Sequence, residues 1–302
     1  MSEGKGGMMG AQQGRKPAQV AQLAQTAAPD ASRRVEAQAA GAVSVRTPFF
    51  SALRAEALKF RHAAPLRLAI VMALPFALFG AMTGFGGALS FSPWNYWYAL
   101  LMPVTIALVT ACVANADARL KNRSILGIGT SLRVSWWAKV SYCLGLSLLS
   151  NLVVFAIYLV AAVFGGGVPS ADMLFASALT MLAAALVVTV TSAWMIPVGL
   201  FLTARAGMLA GIFVPLAVQL VGGFAWSAIP VPQLFPPSAT MVIPTAFLPV
   251  LPSGEPLAAD TVLGGALAAS SALTVAGLAV AAVVFAALSF AGAAWLKRSE
   301  EL

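Results

Sequence analysis

The chain has 302 residues, of which 60% are apolar and 9% charged, and its mean hydropathy is +0.88. Soluble domains average roughly 45 to 50% apolar and about 25% charged residues, so a water-soluble core could not hide this much oily surface. The formal charge of +8 would point to nucleic acid in a soluble chain, but here the basic residues gather beside apolar runs, which is what membrane topology requires.

Residues 1 to 46 are rich in Ala, Gln and Gly, with scattered charges and no sustained apolar periodicity, and read as a disordered cytoplasmic tail. No short apolar core of a signal peptide lies there, so the first span is expected to direct insertion. From Phe49 to His62, Phe50, Leu53, Ala57 and Phe60 recur at spacings of three and four, with Arg54, Glu56, Lys59 and Arg61 between them. That pattern predicts an amphipathic helix in the inner membrane interface, the alternative being a plain cytosolic extension of the first span.

Six apolar runs follow: Leu66 to Ala88, Tyr98 to Ala116, Val134 to Phe164, Met173 to Leu202, Met208 to Ile229 and Thr261 to Leu296. A helix needs about 20 residues to cross about 30 Å of hydrocarbon, so the third, fourth and sixth must tilt, kink or project. Pro75, Pro103, Pro197 and Pro215 are the expected kink sites. Trp94, Tyr96, Trp97 and Tyr98, and again Trp136 and Trp137, stand at span starts and read as interfacial anchors in preference to substrate contacts. Between runs five and six, eight prolines from Pro230 to Pro256 forbid a continuous helix while apolar stretches oppose a solvated loop. Short helices or a re-entrant element at the outer face are expected, acting as a lid or as packing.

All eighteen Lys and Arg residues fall on one side of this six-span arrangement. Nine lie between Lys5 and Arg61, Arg67 opens the first run, Arg119, Lys121, Arg123, Arg133 and Lys139 follow the second, Arg205 the fourth, and Lys297 and Arg298 the sixth. The other three connections hold Asp172, Glu255 and Asp260. The positive-inside bias thus places both termini in the cytoplasm. Cys112 and Cys143 both sit within apolar runs, where a structural disulfide is not expected.

The chain carries no G-x-x-x-x-G-K-[ST] loop, so any ATP would be handled by a partner. Its one histidine, His62, stands beside Arg61, and the cysteines and acids offer neither metal-ligand spacing nor a paired catalytic constellation; no catalytic residue, metal or directly bound cofactor is expected. Gradient-driven carriers usually hold ionisable groups inside their spans. Beyond the first few positions of each run this chain has no Asp, Glu, His, Lys or Arg. Asn151 and Gln219 are the strongly polar residues near span middles, with Thr180, Thr189, Thr191 and Ser192 adding hydroxyls, and interhelical hydrogen bonding is their expected role. The energy for any substrate movement would then come from outside the spans.

The loop after the second run combines charge with an oily edge: Asp117, Arg119, Lys121 and Arg123 alternate with Leu120, Ile125 and Leu126 before Gly127 and Gly129. A short helix of this kind could seat in a groove of a cytosolic protein, the alternative being a plain basic loop. With it, Glu56 to Arg61, Trp94-Asn95-x-Trp97 before Leu100-Leu101-Met102-Pro103, Trp137-Ala138-Lys139, Leu234-Phe235-Pro236-Pro237 and Pro249-Val250-Leu251-Pro252-Ser253-Gly254 complete a series. In that order of parts, residues 49 to 296 resemble the permease subunits of type-two ABC exporters, and more narrowly the lantibiotic immunity permeases. The family commonly has Glu where Asp117 stands and lacks a Gln/Ala-rich tail.

The resemblance implies an all-α membrane protein with six transmembrane helices, an ABC-2-type permease domain over residues 47 to 302, and residence in the bacterial cytoplasmic membrane. It implies that Asp117, Arg119, Leu120, Lys121, Arg123, Ile125 and Leu126 form the coupling helix for cytosolic ABC ATPase subunits, which carry ATP and Mg. A second permease subunit, membrane lipid and an amphiphilic peptide are the other implied partners, with no nucleic acid. Phe50, Leu53, Glu56 and Phe60 belong to the interfacial helix, and cargo contact is expected to be apolar and aromatic through Trp194, Phe224 and Trp226, with core packing as the equal alternative for these three. Export of a drug or lipid, or a non-transporting scaffold or sensor, are the competing expectations.

Overall fold

The structure, a computed structural model, describes residues 48–83, 93–118, 131–164, 171–248, 250 and 271–300. They form helices α1 (Phe49–Lys59), α2 (Ala64–Val71), α3 (Leu74–Thr83), α4 (Pro93–Tyr96), a π-helical turn (Trp97–Leu101) running into α5 (Met102–Ala118), α6 (Leu132–Phe164), α7 (Ala171–Ser192), α8 (Met195–Ala206), α9 (Met208–Phe224), α10 (Pro236–Val242) and α11 (Ser271–Glu300), with three short 3-10 turns between Ala225 and Ala246. No strand occurs among the described residues. Trp94–Ala116, Leu132–Ala161, Ala178–Ala206, Met208–Ala228 and Ala272–Arg298 are each long and apolar enough to cross a membrane, and Phe49–Lys59 with Ala64–Gly80 adds a sixth if that pair, bent by 76°, is counted as one span. By length and composition this is a multi-pass membrane protein.

At three of the four expected kink sites the α-helix is interrupted within about a turn and a half before the proline, twice by a break and once by a π turn. Proline has no N–H to donate to the carbonyl four residues earlier and its ring crowds that carbonyl. The helix accordingly opens at Met72–Ala73 before Pro75 and at Ala193–Trp194 before Pro197, and it widens into the π turn over Trp97–Leu101 before Pro103. The fourth, Pro215, lies inside α9 without a break. The expected fourth span is thus two helices, α7 and α8. In contrast α6 is unbroken over 33 residues, roughly 50 Å at 1.5 Å per residue. The expected sixth span begins among residues outside those described, and its described part is α11.

Gly207 forms the whole link between α8 and α9, with φ of +93°, a left-handed conformation that other residues rarely adopt. The hairpin it makes packs on α5 through small residues. A Cβ on Gly199 would meet Thr110 Oγ1 at 2.6 Å, and one on Gly211 would meet the Gly199 carbonyl at 2.9 Å. Backbones approach this closely only where side chains are absent or small.

Aromatic contacts sort the helix ends into two layers. In one, Phe60 after α1 stacks on Tyr142 near the start of α6, Trp137 meets Phe290, and Phe201 of α8 meets Trp295 of α11. In the other, Trp94 of α4 touches Phe76 of α3 and Tyr158 late in α6, and Phe79 stacks on Tyr96. The end of α1, the start of α6 and the ends of α8 and α11 therefore share one end of the bundle, the same segments whose flanks carry the basic residues.

The tryptophan clusters differ from expectation. Trp94, Trp97, Tyr98 and Trp136 are buried inside the bundle and so face protein, while Tyr96 and Trp137 of the same clusters are half-buried. Trp136 donates its Nε1–H to the Ser289 carbonyl at 2.9 Å, and Trp97 donates to Asn151 Oδ1 at 2.8 Å. An indole at a span start serves equally as a belt residue or as a helix cross-link, and here partners were within reach.

Candidate functional site

Three groups of polar side chains connect the helices, one at the basic end of the bundle and two further in. At the basic end α1 packs on α6. Ala52, Glu56 and Phe60, spaced four apart, form its buried edge, while Phe50 and Ala57 on the other side of the apolar arc are exposed. Leu53 is half-buried between them. This corrects the expected face, in which Phe50 and Phe60 belonged to one surface: the arc is wide enough to be divided between protein and surroundings. Glu56 points inward and accepts from Lys139 Nζ at 2.9 Å, and the same ammonium donates to Ser135 Oγ at 2.8 Å. Both charged residues are 8% exposed. Lys59 stands 3.8 Å from the other carboxylate oxygen and over the Phe60 ring at 5.0 Å. Glu56 and Lys139 are the charged residues buried among the described ones. Lys139 is thus not a loop cation at the edge of a span but half of an interior ion pair that fixes α1 on α6.

The second group crosses the middle of the bundle without any charge. Asn151 of α6 accepts from Trp97 and donates through Nδ2 to Thr189 Oγ1 at 2.8 Å, and the Thr189 hydroxyl donates to the Ala185 carbonyl. One carboxamide thereby joins three spans. Thr191 and Ser192 turn their hydroxyls back to carbonyls of their own helix at 187 and 188. Replacing Asn151 with Leu leaves the Trp97 N–H without its acceptor and frees Thr189, and is expected to cost about 1 to 2 kcal/mol. Reversible unfolding in mixed micelles measures it, and an unchanged midpoint would remove Asn151 from the framework.

The third group ties the proline-rich segment into the bundle. Trp194, in the break between α7 and α8, donates to Gln219 Oε1 at 3.3 Å, and Gln219 Nε2 donates to the Pro237 carbonyl at 3.0 Å. Ser238 donates to the Gly222 carbonyl at 2.5 Å. Gly222 and Gly277 leave room for Pro237 and for the Gln233 carbonyl, which a Cβ would meet at 2.8 and 2.5 Å. Short helices are present, as expected from the prolines, and Ser238, Ala239 and Thr240 are fully buried. Gln219 is the twelfth residue of the span Met208–Ala228, so the segment makes contact roughly 13 to 17 Å from either end of that helix. The described part of the segment, Pro232 to Ala246, is a wedge packed among α7, α9 and α11.

The expected site residues are placed unevenly. Trp194 is buried in this third group, Trp226 is half-buried against the core, and Phe224 is exposed. The Gln219 contact ties Trp194 to the wedge, whereas Phe224 points out of the bundle. Asp117 belongs to the last turn of α5, and Arg119, Leu120, Lys121, Arg123, Ile125 and Leu126 lie outside the described residues. Sequence reasoning missed the Glu56–Lys139 pair. The available signal was the spacing of Ala52, Glu56 and Phe60, which puts one acid on the helix edge free of Arg54 and Arg61.

No known family, curated protein or solved structure matches the chain.

Proposed function

We propose that the chain is a permease subunit of an ATP-driven type-two ABC exporter that moves an amphiphilic substrate, a lantibiotic or related antimicrobial peptide, out of the membrane. The observation that carries the reading is the distribution of charge. The span interiors are joined by Asn151, Thr189, Trp194 and Gln219, and the one buried ion pair among the described residues lies at the basic end, where it fastens α1 to α6. An interior without groups that exchange protons or ions suits a bundle driven from outside, not one coupled to a gradient. The resemblance of residues 49 to 296 to that family supplies the motor: ATPase subunits in the cytoplasm, with ATP and Mg, pressing on Asp117 to Leu126.

On this reading force entering beside α5 reaches α6 and α1 together, because the Glu56–Lys139 pair makes them one body at that end. The breaks at Met72–Ala73 and Ala193–Trp194 then divide the first and fourth spans into halves that can reorient. Cargo contact would be apolar and aromatic, since the interior offers no anionic trap. Drug or lipid cargo fits the same mechanism.

The test is ATP hydrolysis by the complex isolated from its native membrane. Asp117→Lys is expected to abolish stimulation of hydrolysis by peptide while leaving the permease folded. Cysteine labelling is expected to place positions 121 and 205 on the cytoplasmic side. Hydrolysis indifferent to both peptide and Asp117→Lys would favour a scaffold or sensor, and labelling of position 121 from outside would end the proposal.

A further inference from the structure

Near the basic end of the bundle, α8 and α11 enclose a groove of about 460 Å³ that is open to the side, within the range of small-ligand sites. Pro197, Phe201, Leu288, Ala291, Gly292 and Trp295 line it, and its wall is almost wholly apolar. Its shape has local causes. The break before Pro197 separates α7 from α8, and Gly292 contributes no side chain because the Trp136 ring occupies that space from the other side: a Cβ there would meet Trp136 Cζ2 at 2.1 Å.

Two cations stand just beyond one end of this groove. Phe201 and Trp295 meet there with ring centroids 5.0 Å apart. Arg205 follows Phe201 by four residues and Arg298 follows Trp295 by three, spacings that keep each cation on the groove-lining face of its helix, roughly 5 to 6 Å further along. Both are exposed in the last turns of their helices. A second lateral groove of about 420 Å³, lined by Ala77, Val153, Ala156, Ile157, Val160 and Ala161, lies toward the other end of α6. No charged residue occurs in the chain between Lys139 and Asp172, so its α6 wall carries no such anchor.

We propose that the groove between α8 and α11 holds one acyl chain of an anionic phospholipid whose phosphate is held by Arg205 and Arg298. The tail fills the apolar groove beside Ala291 and Phe201, and the headgroup brings negative charge to Arg205 and Arg298 at the helix ends beyond it. The proposal requires that these helix ends lie at a membrane surface; it does not depend on the export reading.

Native mass spectrometry of the full chain in detergent, titrated with phosphatidylglycerol or with phosphatidylcholine of the same acyl chains, tests it. The expected result is one phosphatidylglycerol per chain, bound roughly tenfold or more tightly than phosphatidylcholine. The double variant Arg205→Gln/Arg298→Gln should lose that preference, and Ala291→Phe, which fills the groove from an exposed position, should lose the bound lipid. Ala156→Phe in the other groove should change neither. Equal binding of the two lipids would overturn the assignment, as would retention of phosphatidylglycerol by both groove variants. So would displacement of the lipid by millimolar inorganic phosphate, which would mark a free-phosphate site. If Ala291→Phe instead turned a dimer into a monomer with lipid binding intact, the groove would be a contact between copies of the chain.

Discussion

Replacing Lys139 with Met is expected to destabilise the protein by about 3 to 5 kcal/mol, the usual cost of removing one partner from a buried ion pair. The carboxylate of Glu56 would remain inside the α1–α6 contact with the Lys59 ammonium 3.8 Å away, and Ser135 would lose the ammonium that donates to it. Removing both charges is a different experiment. Glu56→Met/Lys139→Met leaves no orphaned charge and is expected to recover most of the loss, because the pair's mutual attraction is largely offset by the desolvation of both ions. Arg54, exposed on the opposite edge of α1, supplies the control: Arg54→Gln should shift stability by less than about 0.5 kcal/mol. Denaturant titration of the purified protein in mixed micelles reads all three variants against the parent. A loss no larger in Lys139→Met than in Arg54→Gln would show that Glu56 and Lys139 are hydrated and that α1 is not fixed on α6.

Gly292→Val should rank next, at about 1 to 3 kcal/mol or more. The added carbons would enter the Trp136 ring, whose Cζ2, Cη2 and Cε2 atoms all lie within 2.8 Å of the Cβ position. The ring cannot swing away freely, since its Nε1–H is bound to the Ser289 carbonyl of the same helix. Either the indole gives up that hydrogen bond or α11 moves off α6. Trp136→Phe would separate the causes: alone it loses the hydrogen bond and some packing, and combined with Gly292→Val it should be less damaging than the sum of the two single changes. Strict additivity would mean that the close approach at Gly292 does not govern the contact. Tryptophan emission of the variants gives a second readout of whether the ring has left its buried site.

Much of the architecture could be read from residue spacing because its causes are local. A proline acts on the carbonyl one turn before it, so Pro75, Pro103 and Pro197 announce breaks or bulges within four residues of themselves. Pro215 did not open α9, and nothing in the contacts of that helix explains the difference. Asn151 and Gln219 could be assigned to interhelical hydrogen bonds because a carboxamide in mid-span has no water to bond. Their partners could not be named, since Trp97 lies 54 residues from Asn151 and Pro237 lies 18 from Gln219. The same limit hid the role of the aromatic clusters. Trp136 is a cross-link because the Ser289 carbonyl, 153 residues away, arrives beside it, and no local pattern encodes that meeting.

The face of α1 shows a different limit. Its apolar arc covers about half of the helix, and spacing alone cannot say which part of a wide arc meets protein. The buried edge runs through Ala52, Glu56 and Phe60, so an acid set between the apolar positions is the residue that anchors the helix. The wedge from Pro232 to Ala246 followed its prolines into short helices, but its depth came from Gly222, Gly223 and Gly277, whose missing side chains admit Pro237, Met241 and Gln233.

Dependence on nucleotide hydrolysis in a separate subunit is what the proposed function requires of a bundle with no Asp, Glu, His, Lys or Arg in the middle of its spans. It is tested most directly by peptide movement in sealed vesicles containing the complex with its ATPase. A fluorescent lanthionine peptide should move only when ATP and Mg are present on the ATPase side, and its rate should be unchanged by an ionophore that collapses the proton and sodium gradients. Movement that persists without nucleotide and stops with the ionophore would contradict the account.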